Sequence, residues 1–282
     1  MPSFTLPFRK LDFSTIAGLA LAVFGIVGGL LLEGGKLSDV TQLTAALIVL
    51  GGTAGAVMVT TPTRLLTSAI KKLPTIFWHP VISADSLIQQ IQTFAVKARR
   101  SGLVSLDVEI DNIEDRFLRK ALMLAIDGTD LKEVRRIMEM EIISAEQQGE
   151  AEAKVFECAG GYAPTIGIIG AVLGLIQVMK HLEDFEAVGH GIAVAFVATV
   201  YGVSLANIFF LPAANKLKAR LQLAIQMNEL ALEGVIAVAE GLNPRLIESK
   251  LEPFKQAFGE SAAKQPRKRR VAARTVAAQG SL

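Results

Sequence analysis

The sequence predicts an all-α membrane protein, with four transmembrane helices and a helical domain between the second and the third. Three observations predict it. Residues 158–178 and 191–211 are apolar runs without a charged side chain, joined through the short acidic link HLEDFEAVGH. At about 1.5 Å rise per residue, some 20 such residues cross a hydrocarbon core of roughly 30 Å. Two further apolar runs, residues 14–32 and 41–60, lie near the N-terminus. The composition agrees: 51% hydrophobic residues and a mean hydropathy of +0.43 are too apolar for an ordinary soluble chain. Their uneven distribution argues for spans rather than one large core.

In chain order, residues 1–13 carry Arg9 and Lys10 ahead of the first run. That run is longer than the apolar part of a secretion signal and lacks a clean small-residue cleavage site. It is read as a retained span, 14–32, rather than a cleaved leader. A polar link, 33–40, leads to the second span, 41–60, which contains Gly51, Gly52 and Gly55. Small residues so spaced allow close helix approach in lipid, or act as plain filler in a tight bundle; the spacing alone does not choose. Pro62 and Pro74 then interrupt the helical pattern.

Residues 61–155 are charged and amphipathic. Ser83 is expected to cap a helix to about Ser101, with Leu87, Ile91, Phe94 and Ala98 on one face and Gly102 after it. Residues 113–126 repeat the pattern up to Gly128. Asp130 and Glu133 resemble a capping box. The helix they open has Val134, Ile137, Met138 and Ile142 on one face and no break before Gly149. A brief β segment is expected at 104–110. The third span is 156–179, the link 180–190 and the fourth span 191–212. Residues 213–241 read as a separate amphipathic helix through Leu217, Leu221, Ile225 and Leu230, ended by Asn243-Pro244, within a cytoplasmic segment reaching 260. The tail, 261–282, is rich in Ala, Lys and Arg and expected to be disordered.

The net charge of +2 says little, but its distribution says more. The two short links hold one lysine each, Lys36 and Lys180; every other Lys or Arg lies in the N-terminus, the central domain or the chain after the fourth span. The positive-inside rule therefore places both termini and the central domain of a multi-pass membrane protein in the cytoplasm. A lone cysteine, Cys158, rules out an internal disulfide. His79, His181 and His190 are scattered without ligand spacing, and there is no phosphate loop or nucleophile elbow. Neither an enzyme, a metal site nor a cofactor is expected. The PRKRR run is read as attraction to anionic headgroups rather than to nucleic acid.

Within the paired third and fourth spans, Pro164 lies about 12 Å in from the start of its span, and Pro212 sits where the fourth span leaves the bilayer. A membrane proline frees a carbonyl and makes a hinge, or is merely tolerated; both readings stand. Ala171 and Thr199 fall at similar depths, about 20 Å in. Small and hydroxyl side chains there either line a wet path or pack helix on helix. No span contains an ionisable side chain, and Glu157 is at the edge. If the protein conducts ions, the titrating carboxylate comes from another chain.

GGYAPTIGIIGAVLGL, followed by ATVYGVSLANIFFLP, resembles the flagellar motor stator subunits of the MotA/PomA type, in the wider group that holds ExbB and TolQ. The resemblance extends to about residue 255 and includes KARRSGLVSLDVEI, but not the basic tail. It implies that Pro164 and Pro212 gate a conformational change. It implies that Thr199 lies beside the ion path, and that Ala171 stands where sodium-driven relatives carry threonine, which favours protons over Na⁺. Arg99 and Asp107 resemble the charged pair that contacts the rotor, with Asp where relatives often have Glu, and Arg100 and Glu109 as sharers of that role. Without the resemblance these four read as a solvated charged face. The implied partners are two copies of a MotB-type single-span subunit that binds peptidoglycan and carries the membrane aspartate, four further copies of this chain in a pentamer, and the rotor switch protein FliG. The rivals are an ExbB/TolQ-like subunit energising outer-membrane work, disfavoured by the two spans ahead of the central domain, and a non-conducting scaffold.

Overall fold

The computed structural model describes residues 9–80 and 84–263, nearly all of them helical. A short antiparallel pairing joins β1 (Arg9–Leu11) to β2 (Trp78–Pro80), with Leu11 opposite Trp78. The helices are α1 (Phe13–Leu32), α2 (Leu43–Ala46), α3 (Gly52–Thr60), α4 (Thr63–Lys72), α5 (Ala84–Ser101), α6 (Asp107–Ile110), α7 (Arg116–Ile126), α8 (Leu131–Lys180), α9 (Phe185–Ser204), α10 (Leu211–Ala239) and α11 (Pro244–Ala263). Four helical stretches are long and apolar enough to cross a membrane: Phe13–Leu32, Leu37–Thr60, Leu131–Lys180 and Phe185–Ala239.

The chain forms two compact units. The first comprises residues 8–80 and 147–221. Its α1 buries none of its residues, and Leu21, Phe24 and Leu32 are 75%, 74% and 90% exposed. An apolar helix so bare is at home against acyl chains, where its backbone groups are satisfied internally. Asp12 caps it, accepting from the Thr15 amide, while the Asp12 amide donates to the Phe77 carbonyl at 2.9 Å. A π-helical turn, Leu47–Gly51, links α2 to α3. Ala45 and Val49 pack there on Val197 and Ala198. At the other end, Val57, Ala69, Ile76, Phe156, Ala213 and Leu217 form a second apolar cluster.

Of the described residues, the second unit comprises 84–146 and 222–263. Its described helices bury the faces that the 3.6-residue period marks out: Leu87, Ile91 and Phe94 of α5, Val134, Met138 and Ile142 of α8, and Ile225 and Leu230 of α10. Ala98 and Ile137 remain partly exposed. α5 ends at Gly102, whose φ of +82° suits glycine and stops the helix.

Four expectations change. The β segment at 104–110 is instead a 3₁₀ turn, Leu103–Leu106, followed by α6. Leu106, Ile110 and Ile113 are buried at helical i, i+4, i+7 spacing, while Val104 and Val108 stay exposed. Alternation over so few residues fits either period. Second, residues 213–241 are not a separate helix, because α9, a π-helical segment Leu205–Phe210 and α10 run without a break. Third, Gly241, with φ +73°, ends α10, and Asn243-Pro244 starts another helix. The Asn243 carboxamide oxygen accepts from the Arg245 amide, and Pro244 occupies the first helical position, where its missing N–H costs nothing. Fourth, the N-terminal segment pairs as a strand. The Ser83 cap, most of the basic tail (264–282) and residues 1–8 lie outside the described residues.

Candidate functional site: the α8–α9 hairpin

Gly160, Ala163, Gly167, Gly170 and Gly174 recur every three or four residues and so share one face of α8. Gly191, Ala195, Ala198 and Gly202 of α9 lie against that face. A Cβ built on Gly167 would stand 2.8 Å from the Ala198 carbonyl oxygen, and one on Gly174 2.7 Å from the Gly191 carbonyl oxygen. One on Gly202 would collide with the Ala163 carbonyl. The two backbones are therefore in contact along a seam that no larger residue fits. The bulky side chains point away from it, Phe196 being 71% exposed and Ile168 57%.

Pro164 sits inside α8 without ending it. Lacking an N–H, it leaves the Gly160 carbonyl without its helical donor. Gly160 abuts Leu211, the neighbour of Pro212. Ala163, the neighbour of Pro164, faces Gly202, ten residues before Pro212, so the two prolines lie at different levels, Pro164 within the seam and Pro212 at its end. Pro212 follows directly on the π-helical segment Leu205–Phe210, whose wider turn is the usual way a helix absorbs a local insertion. Ala171 and Thr199 lie at one depth, each following one member of the Gly170–Ala198 contact. Both are partly exposed. The Thr199 hydroxyl donates to the Ala195 carbonyl at 3.2 Å, which leaves its lone pairs unspent.

Around the hairpin stand groups that sequence reasoning did not find. The Tyr201 hydroxyl donates to the Val40 carbonyl at 2.6 Å and accepts from the Gln42 amide, pinning the head of α2 to α9. Glu157 pairs with Lys218 at 2.6 Å. Glu152, 1% exposed, takes Lys72, Ser68 and Gln148 as partners. Burial alone would push its carboxyl up, but these donors outweigh burial and hold it below the usual range. Asp12, 5% exposed, is paired with both Lys216 and Arg220. The seam had a readable signal in its glycine spacing. These ion pairs had none, since their members are up to 208 residues apart.

Of the four charged residues expected at a rotor contact, Glu109 pairs with Lys97 at 2.7 Å rather than with either arginine. Arg99, Arg100 and Asp107 are exposed, and no ion pair involves them among the described residues. Beside them Val104 and Val108 are 71% and 77% exposed.

A helical hairpin closed by a glycine seam, in a chain with four helices long and apolar enough to cross a membrane and no Asp, Glu, Lys, Arg or His in residues 14–32, 41–60, 158–178 or 191–211, defines a multi-pass membrane protein. Residues 109–229 match the MotA/TolQ/ExbB proton channel family, and residues 16–102 match the family described as Motility protein A N-terminal. Motility protein A of Bacillus subtilis is 36% identical over 86% of this chain and 90% of its own length. Chemotaxis protein PomA of Vibrio alginolyticus is 31% identical over 86% and 95%. A chain of the solved C. jejuni MotAB structure superposes with a TM-score of 0.82 at 36% identity, covering 86% of this chain and 96% of that one. A chain of the flagellar MotAB stator complex from Bacillus subtilis gives 0.81 at 33%, covering 90% and 100%. The chain belongs to the MotA/TolQ/ExbB proton channel family, on its motility protein A branch.

Proposed function

We propose that this chain is the ring-forming stator subunit of a bacterial flagellar motor. It supplies the wall of a proton path whose titrating aspartate belongs to a single-span, peptidoglycan-binding partner of the MotB type. The observation that carries the reading is the hairpin. Pro164 lies within a seam of bare backbone and Pro212 at its end, and no acid or base lies in residues 14–32, 41–60, 158–178 or 191–211. A helix pair in backbone contact has little slack, so a change at Pro164 is felt at Pro212 across the Gly160–Leu211 contact.

In this reading five copies surround two copies of the partner. The spans are 14–32, 41–60, 156–179 and 191–212, and both termini and the central domain face the cytoplasm of the inner membrane, as the distribution of Lys and Arg supports. A proton reaching the partner's aspartate passes Thr199, whose free lone pairs accept a hydrogen bond, and Ala171, whose methyl offers no ligand to a dehydrated Na⁺. One charge moved through 100 mV supplies about 2.3 kcal/mol, enough to bias a modest helix rearrangement. Arg99, Arg100 and Asp107, exposed beside Val104 and Val108, form a mixed charged and apolar surface suited to the rotor protein FliG, with Glu109 held back by Lys97.

The test is a Pro164→Ala variant expressed in place of the native chain. Membrane insertion at native level with swimming abolished is the expected result; unchanged swimming would reduce the prolines to packing. Swimming speed at fixed pH should be the same with and without sodium, and a sodium requirement would reverse the ion assignment.

A further inference from the structure

Between α1 and the π-helical end of the fourth span lies a cavity of about 340 Å³. Its walls have two characters. Thr15 and Lys216 make one end polar, while Gly18, Ala22, Ile208 and Pro212 make the rest mainly apolar, broken by Asn207, whose carboxamide donates to the Val203 carbonyl. Thr15 is in the first turn of α1 and Lys216 lies one turn beyond Pro212, so the polar end sits where both helices leave the bilayer. Ala22 is two turns further in, about 10 Å along the helix. Because α1 buries none of its residues, the cleft opens towards acyl chains.

The charge at the polar end is unbalanced. Lys216 and Arg220 share a single carboxylate, that of Asp12, which leaves an excess of one positive charge. The Lys216 ammonium has three donors and spends two, on Asp12 and on the Thr15 hydroxyl. Its side chain is 27% exposed, so the third N–H is accessible. A free inorganic anion would satisfy that donor but leave the apolar length of the cleft unfilled. An ion with a hydrocarbon tail satisfies both.

We propose that this cleft binds an anionic phospholipid, with its phosphate on Lys216 and one acyl chain laid past Gly18 and Ala22 against Pro212. The occupant would touch the same π-helical segment that accommodates Pro212. The inference needs only that the chain sits in a bilayer, and stands apart from the motor reading.

The single tryptophan, Trp78, gives a local reporter, since its neighbour Phe77 lines the cleft. The full chain is reconstituted in phosphatidylcholine vesicles, and Trp78 emission is followed as phosphatidylglycerol or phosphatidylcholine with brominated acyl chains is introduced. Brominated phosphatidylglycerol should associate about tenfold more strongly than brominated phosphatidylcholine. Gly18→Phe fills the cleft from a position where an added Cβ meets nothing within 4 Å, and should abolish that excess. Lys216→Gln should remove most of it. Equal quenching by the two lipids in the native chain would overturn the proposal. So would an excess that survives in a Gly18→Phe protein with native circular dichroism, and this arm decides if Lys216→Gln fails to fold.

Discussion

Asp12 is 5% exposed and remains a carboxylate because Lys216, Arg220, the Ser14 hydroxyl and the Thr15 amide all direct hydrogens at it. Burial pushes its carboxyl up. The hydrogen bonds from Lys216, Ser14 and Thr15, with the Lys216 charge, together overcome burial and hold it well below the ordinary aspartate range. A depressed folded pKa means that the ionised group stabilises the fold above the unfolded value of about 3.9 and loses that contribution as pH falls below it. Asp12→Asn leaves two cations facing each other with no carboxylate between them, at a cost of about 3 kcal/mol. Thermal melts in neutral detergent should therefore show the variant well below the native chain at pH 7, with the gap closing as pH is lowered through about 4. A gap independent of pH would mean that the effect is steric. Nothing at this scale was legible beforehand, for Asp12 reads as one more residue of a basic N-terminus until the fold brings position 216 to it.

At the scale of helices, apolar length and the absence of charge made the spans readable, because a bilayer imposes both requirements on any sequence that crosses it. The glycines at 160, 167, 170 and 174 are as visible in the sequence as Gly51, Gly52 and Gly55, yet Gly51 and Gly55 meet nothing within 4 Å. A glycine's role depends on what faces it, and a single strand of text does not say which face is opposed. Gly202→Val drives a branched side chain into the Ala163 carbonyl and should force α8 and α9 apart. The expected loss is about 3 kcal/mol or more, the upper end for overpacking. Gly25→Ala, on a helix that buries nothing, should instead be neutral or stabilising by about 0.5 kcal/mol. Comparison of the two melting midpoints checks the seam, and a Gly202→Val protein as stable as the native chain would remove it. The short segment 104–110 failed as a strand for a related reason. Alternation would put Val104, Leu106, Val108 and Ile110 on one face, but only Leu106 and Ile110, one helical turn apart, are buried.

For the molecule as a whole, the decisive feature is an absence that the sequence states outright: no Asp, Glu, Lys, Arg or His occurs in residues 14–32, 41–60, 158–178 or 191–211. The described structure adds that three acids flanking the spans are engaged in ion pairs, Glu157 with Lys218, Glu152 with Lys72, and Asp12 with Lys216 and Arg220. A proton crossing a hydrocarbon core needs a group that can take and release it there, since carrying a bare charge through that medium costs many kcal/mol. Hydroxyls such as Thr199 can accept a hydrogen bond but do not ionise near neutral pH. It follows that vesicles holding this chain alone should keep an imposed pH gradient as long as empty ones do. Co-reconstitution with a single-span partner that carries a membrane aspartate should collapse the gradient. Replacing that aspartate with asparagine should restore the seal, while Thr199→Ala in this chain should slow the leak without abolishing it. A pH-sensitive dye trapped inside the vesicles reads all four cases. Rapid dissipation by the chain alone would show that the spans contain a proton-conducting route that needs no borrowed acid.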